Sequence, residues 1–68
     1  MTKKEIKTVA FNIIATCVKQ GNAFVNNDFK DRYLTRAYTI VYMLAELNML
    51  TDEQITNIKK EISEGIYA

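Results

Sequence analysis

The sequence has 68 residues, of which 49% are apolar and 25% charged, and its formal net charge is +1. A chain this short buries one small core and usually needs a disulfide, a metal ion or a partner for stability. A single cysteine and no histidine exclude an internal disulfide and an ordinary zinc site. The balanced charge gives no general attraction to nucleic acid or to anionic membranes.

The first predicted helix covers about residues 3–20. Thr2 and Glu5 have the spacing of a capping box, in which each side chain accepts a hydrogen bond from the other residue's backbone N–H. Gly21 is expected to end the helix, because glycine adopts the left-handed conformation at little cost. The pair Phe24-Val25 is expected to close the end of a helical hairpin.

The second predicted helix covers about residues 28–47. Asn27 or Asp28 is expected to cap its start, since short polar side chains accept hydrogen bonds from the first free backbone N–H groups. Asn48 is expected to end it.

The third predicted helix covers about residues 52–64 and has the clearest local signal in the chain. Thr51 and Gln54 form a second capping box, and Leu50 and Ile55 occupy the two positions of a hydrophobic staple. This short segment identifies a turn followed by a helix start.

The first two predicted helices carry more apolar surface than one small chain can bury. At 100° per residue, apolar side chains cover over half of each circumference, whereas the third helix has one narrow stripe. Large exposed apolar faces usually mark interaction sites. We therefore expect an all-α fold in a single domain over residues 1–68, a helical hairpin plus a shorter third helix. Two copies are expected to form a two-fold dimer, with the hairpins packed as a helical bundle.

One edge of the second helix is the candidate contact surface. Tyr38, Tyr42, Ala45 and Met49 recur at i, i+4, i+7 and i+11, and tyrosine and methionine are common at interfaces. Phe11, on the outer flank of the first helix, is a further candidate. The sequence leaves open the alternative that these side chains form core beneath the loop and the third helix.

Catalytic chemistry is not expected. Without histidine there is no imidazole to act as a general base near neutral pH. Cys17 falls in the apolar face of the first helix, which indicates a buried, unreactive thiol. Asp28 and Asp52 fall at helix starts, where negative charge stabilises the helix dipole. The sequence therefore predicts a protein that is not an enzyme and that uses no cofactor, metal ion or small-molecule substrate.

Binding to DNA is the alternative that the sequence keeps open. The second and third helices could form a helix-turn-helix, but the leading end of the third, residues 51–54, carries two carboxylates that phosphates would repel. Lys30, Arg32 and Arg36 form a basic group that a dimer would present twice. A small DNA-binding transcriptional regulator is therefore the second hypothesis, with nucleic acid the less favoured partner.

Membrane insertion and export are not expected. No apolar run approaches the ~20 residues of a membrane span, and the first residues lack the apolar stretch of a signal peptide. A lone cysteine favours the reducing cytoplasm. Abundant Ile, Lys and Asn indicate a low-GC bacterium, or a phage or other mobile element of one.

Together these patterns predict a small, non-enzymatic protein-interaction module in the cytoplasm. It is expected to be a homodimer that regulates or inhibits a larger protein by binding it.

Overall fold

The computed structural model describes residues 1–65, and over that range the chain forms three α-helices. They are α1 (Lys3–Asn22), α2 (Asn27–Glu46) and α3 (Asp52–Glu64). The predicted all-α, three-helix fold is confirmed. α1 and α2 form a hairpin with an extensive contact, and α3 packs mainly against α2. None of these helices is both long and apolar enough to cross a membrane.

α1 begins as its sequence predicts but ends later. The Thr2 hydroxyl accepts from the Glu5 N–H and the Glu5 carboxylate accepts from the Thr2 N–H, each at 3.2 Å. The expectation that Gly21 ends the helix is wrong, because α1 continues through it to Asn22.

Gly21 has a different role, which is to let α1 and α2 approach closely. A Cβ atom at this position would lie 3.3 Å from the Cβ of Tyr33 and 3.4 Å from the carbonyl oxygen of Lys30. Gly21 is buried at this contact. The packing of the two helices, and not a turn, explains the glycine.

The start of α2 lies one residue earlier than predicted. Asn26 is the N-cap, and its side-chain oxygen accepts a hydrogen bond of 2.8 Å from the N–H of Asp28. The expectation of a cap at Asn27 or Asp28 is therefore wrong. Asp28 instead places its negative charge in the first turn of the helix.

The end of α2 is a Schellman motif, with Asn48 in the left-handed conformation at φ 56°. The N–H of Met49 donates to the Leu44 carbonyl at 2.9 Å, and the N–H of Asn48 donates to the Ala45 carbonyl at 3.0 Å. Asn48 thus ends the helix as predicted and turns the chain towards α3.

α3 is fixed at both of its ends. The Thr51–Gln54 capping box is confirmed, with hydrogen bonds of 2.9 and 3.2 Å. At the other end Gly65 is left-handed, at φ 70°, and its carbonyl accepts a 2.7 Å bond from the Asn22 side-chain amide. The last turns of α1 and α3 therefore lie side by side, so that α3 runs antiparallel to α2.

The core lies where the three helices meet. Its buried cluster joins side chains of all three helices: Ile14, Cys17 and Val18 of α1, Ala37 and Val41 of α2, and Ile62 of α3. The staple residues Leu50 and Ile55 pack against it, so the turn before α3 is anchored too. The burial of Ile62 fixes α3 to one side of the hairpin.

We expect the substitution Thr51→Ala to lower the free energy of unfolding by about 1 kcal/mol, because it removes the N-cap of α3. Thr56→Ala in the same helix is the matched control, since that hydroxyl bonds a carbonyl of its own helix, that of Asp52. Its effect should stay within about 0.5 kcal/mol. Urea unfolding followed by circular dichroism at one protein concentration measures both. Equal losses would contradict the capping role.

Candidate protein-interaction surface

The side of the hairpin opposite α3 is an exposed apolar surface. Val9 and Ile13 of α1 are 43% and 46% exposed, and Met43 and Leu47 of α2 are 46% and 51% exposed. Ile40 lies between them and is partly buried. We call these five residues the open face. Fully exposed single apolar residues are ordinary, but a contiguous set on two adjacent helices usually marks a contact.

Two of the hollows on the open face lie one on each side of the neighbouring side chains Ile13 and Ile40. The smaller, of about 140 Å³, lies towards the first residues of the chain and is lined by Met1, Ile6, Val9, Ala10, Ile13, Ile40 and Met43. The larger, of about 470 Å³, lies towards the hairpin loop and is lined by Ile13, Cys17, Thr35, Arg36, Thr39 and Ile40. Neither is lined by a residue of α3.

The predicted contact edge of α2 lies on the other flank of the helix, beside α3. Tyr38 is partly buried against the core, and Tyr42 is 51% exposed, with the Lys59 ammonium 5.3 Å from its ring centroid. Ala45 and Met49 are partly buried.

A groove of about 600 Å³ separates α2 from α3 on this flank, lined by Thr35, Tyr38, Thr39, Tyr42, Lys59, Lys60 and Ser63. Phe11, the remaining predicted contact residue, is partly buried against the core on α1. The Lys7 ammonium lies 5.9 Å from its ring centroid. The structure therefore brings Tyr38 and Tyr42 together beside α3 and places Phe11 on a separate helix.

The open face was missed as a specific site because both flanks of α2 are apolar. Ile40, Met43 and Leu47 follow at intervals of three and four residues, which is the same kind of signal as the tyrosine edge. Helical periodicity does not say which flank α3 will cover. The burial of Ile62 in the core shows that α3 covers the flank of α2 that holds Tyr38.

Aromatic rings and arginines form a compact cluster at the hairpin end. The ring of Phe24 stacks on those of Phe29 and Tyr33, with centroids 5.4 Å apart in both pairs. The Arg32 guanidinium lies 5.5 Å from the centroid of Phe29, and that of Arg36 lies 5.0 Å from Tyr33. We call these five residues the hairpin-end cluster. Cation–π contact holds both guanidinium groups in place while their charges face water.

The residues proposed for nucleic acid binding are only partly brought together. Arg32 and Arg36 are exposed within the hairpin-end cluster, and Lys30 is partly buried next to them. The first turn of α3 carries Asp52 and Glu53, so its leading end is acidic as predicted.

Cys17 is 8% exposed and free, and it lies in the wall of the larger hollow. Within residues 1–65, no three side chains of His, Cys, Asp or Glu come together as ligands for a metal ion. No protein-family model, curated protein or solved structure matches this chain.

The loop pair Phe24-Val25 was expected to close the hairpin, and this is wrong for Val25, which is 99% exposed. We expect Phe24→Ala to lower the free energy of unfolding by about 1–2 kcal/mol, because it removes two ring stacks. Val25→Ala is the neighbouring control and should have no measurable effect. Urea unfolding checks both, and a neutral Phe24→Ala would mean that the stacks do not stabilise the hairpin.

Proposed function

We propose that the protein is a non-enzymatic interaction module that forms a homodimer through the open face. As a dimer it regulates or inhibits a larger protein by binding it, in the reducing cytoplasm that a single buried thiol suits. The observation that carries the proposal is the exposure of Val9, Ile13, Met43 and Leu47 on two adjacent helices.

The exposed area leaves room for an interface of ordinary size. The chain exposes 4887 Å², whereas a folded monomer of 7.8 kDa exposes about 4400 Å² by the usual scaling with mass. A stable interface removes about 800 Å² from each partner. If a second copy covered the open face, the exposed area per chain would fall below that of an ordinary monomer of this mass.

Two threonines beside the open face, Thr16 and Thr39, can be covered at low cost. The hydroxyl of Thr16 donates to the Asn12 carbonyl and that of Thr39 donates to the Thr35 carbonyl, both at 2.9 Å. Each hydroxyl proton already has a partner within its own helix. Burying these groups under another helix therefore leaves no unpaired donor, which would otherwise be costly.

A dimer through the open face leaves α3 and the exposed rings of Phe24 and Phe29 at the hairpin end accessible. Four helices, two from each copy, then form the central bundle, and α3 lies outside. The larger protein that we propose as the target would bind these outer surfaces.

Substitutions at the adjacent residues Met43 and Tyr42 test which of the two candidate surfaces forms the dimer contact. The two residues are 46% and 51% exposed, but Met43 lies on the open face and Tyr42 lies beside α3. We expect Met43→Glu to weaken dimerisation at least tenfold, since it buries a charge, and Tyr42→Glu to have little effect. Molar mass by light scattering, measured behind size exclusion over a range of concentrations, gives the dissociation constants.

Two outcomes of this measurement would contradict the proposal. Loss of the dimer in Tyr42→Glu alone would locate the contact at the tyrosine edge. A monomeric wild-type protein at the highest concentration would overturn the homodimer. Circular dichroism of each variant shows whether the helices are retained, which excludes unfolding as the cause.

The hairpin-end cluster favours a second candidate function, nucleic acid binding. It presents two guanidinium groups beside three aromatic rings at one end of the molecule. Arginine and aromatic side chains together are the usual components of single-strand binding sites. Asp28 and Asp31 lie on the same turns of α2 and reduce the local positive charge, so this candidate ranks second.

For this candidate we expect the wild-type protein to bind a heparin column at low salt and a labelled oligonucleotide with an affinity that falls steeply as salt is raised. The double variant Arg32→Glu/Arg36→Glu should lose both. Lys3→Glu/Lys4→Glu makes the same change in net charge at the other end of the hairpin and should retain most binding. No retention of wild type would eliminate the candidate.

A further inference from the structure

We infer that the two copies pair antiparallel, with α2 against α2 of the second copy, so that Arg36 of each chain meets Glu46 of the other. The inference rests on the proposed homodimer through the open face and specifies the orientation of its partner. It is carried by the distribution of charge along α2 and by the shape of the open face.

Charged residues of opposite sign lie at the two ends of one stripe on α2. The stripe consists of Arg32, Arg36, Thr39, Met43 and Glu46, which follow at intervals of four, three, four and three residues, and all five are exposed. Residues with this spacing lie along one side of a helix. The stripe is basic in the first half of α2 and acidic at its last residue.

Two two-fold arrangements can place one open face on another. If the axis runs along the helices, both hairpin ends lie at the same end of the bundle, and the arginines of the two copies approach one another. If the axis runs across the helices, each hairpin end lies against the opposite end of the second copy. Arg32 and Arg36 then approach Glu46 of the second copy. Opposite charges attract and like charges repel across an interface, so the charges of the α2 stripe favour the second arrangement.

The register follows from the helix geometry. If Arg36 faces Glu46 of the second copy, the axis passes level with the midpoint between them, one residue from Ile40. Ile40 and its neighbour Ile13 separate the two hollows of the open face. The axis thus passes at the centre of the open face.

The same register makes the two surfaces fit each other. It places Met43 of one copy opposite Thr39 of the other, and Thr39 lines the larger hollow. A flexible, apolar methionine suits such a space. By symmetry, each Met43 side chain enters the larger hollow of the other copy.

Arg36 is prepared for this contact by its own ring contact. Its guanidinium lies 5.0 Å from the ring centroid of Tyr33, which restricts the side chain before any partner binds. A guanidinium held in this way loses less conformational freedom when it binds a carboxylate. The pair would lie near the edge of the interface, so its main effect is on orientation and not on total affinity.

Mixing two charge-reversal variants tests the orientation. Arg36→Glu places two carboxylates opposite each other at both symmetry-related contacts, and Glu46→Arg places two guanidinium groups there. We expect each variant alone to dimerise about tenfold more weakly than wild type. In a mixture, every contact again joins opposite charges. Tenfold weaker homodimers would give about 90% heterodimer in an equimolar mixture, instead of the statistical half.

The measurement is native mass spectrometry of the equimolar mixture at physiological salt, after circular dichroism has shown that both variants remain helical. A second test uses the chain that carries both substitutions. In its homodimer the positive and negative charges at positions 36 and 46 are exchanged, so each contact still joins opposite charges and the chain should dimerise like wild type. Glu61→Arg, an equal charge change at an exposed position on α3, is the control partner for Arg36→Glu and should give the statistical half.

The outcomes distinguish the orientation from the dimer itself. Preferential mixing together with recovery in the doubly substituted chain supports the antiparallel pairing. A wild-type dimer whose charge-reversal variants mix only statistically overturns the orientation and leaves the dimer in place. A wild-type protein that stays monomeric overturns both.

Discussion

The structure depends on one geometric constraint, which is that a single short helix can cover only one side of a two-helix hairpin. α3 contributes Ile62 to the core and covers the flank of α2 that holds Tyr38. Within residues 1–65 no helix covers the opposite flank in this way, and its apolar residues are exposed. In the dimer that we propose, a second copy covers this flank.

Two local motifs hold the start of α3, and one hydrogen bond between distant residues holds its end. The Schellman motif at Asn48 and the capping box at Thr51 set the direction of the turn. The hydrogen bond between Asn22 and Gly65 holds the far end against α1. These contacts hold α3 against the flank of α2 that holds Tyr38 and leave the open face uncovered by α3.

Local signals in the sequence predicted the elements well, whereas contacts between helices were harder to foresee. The Thr2 and Thr51 capping boxes involve residues three apart, so sequence spacing is enough to find them. The prediction for Gly21 was wrong because the glycine is needed for a contact between helices, the close approach of Tyr33 across the hairpin. The covered flank of α2 could not be predicted for the same reason. The spacing of Tyr38 and Tyr42 resembles that of Ile40 and Met43, and only the docking of α3 makes them different.

The position of Cys17 gives the molecule a natural reporter of its own association. Its sulfur belongs to a nearly buried side chain in the wall of the larger hollow, at the edge of reach for a small reagent. In the proposed dimer, Met43 of the second copy fills that hollow and seals the thiol from solvent. The rate at which a small alkylating reagent modifies the sole cysteine should then fall as protein concentration rises. This rate therefore measures the dimer fraction of the wild-type chain without an added label.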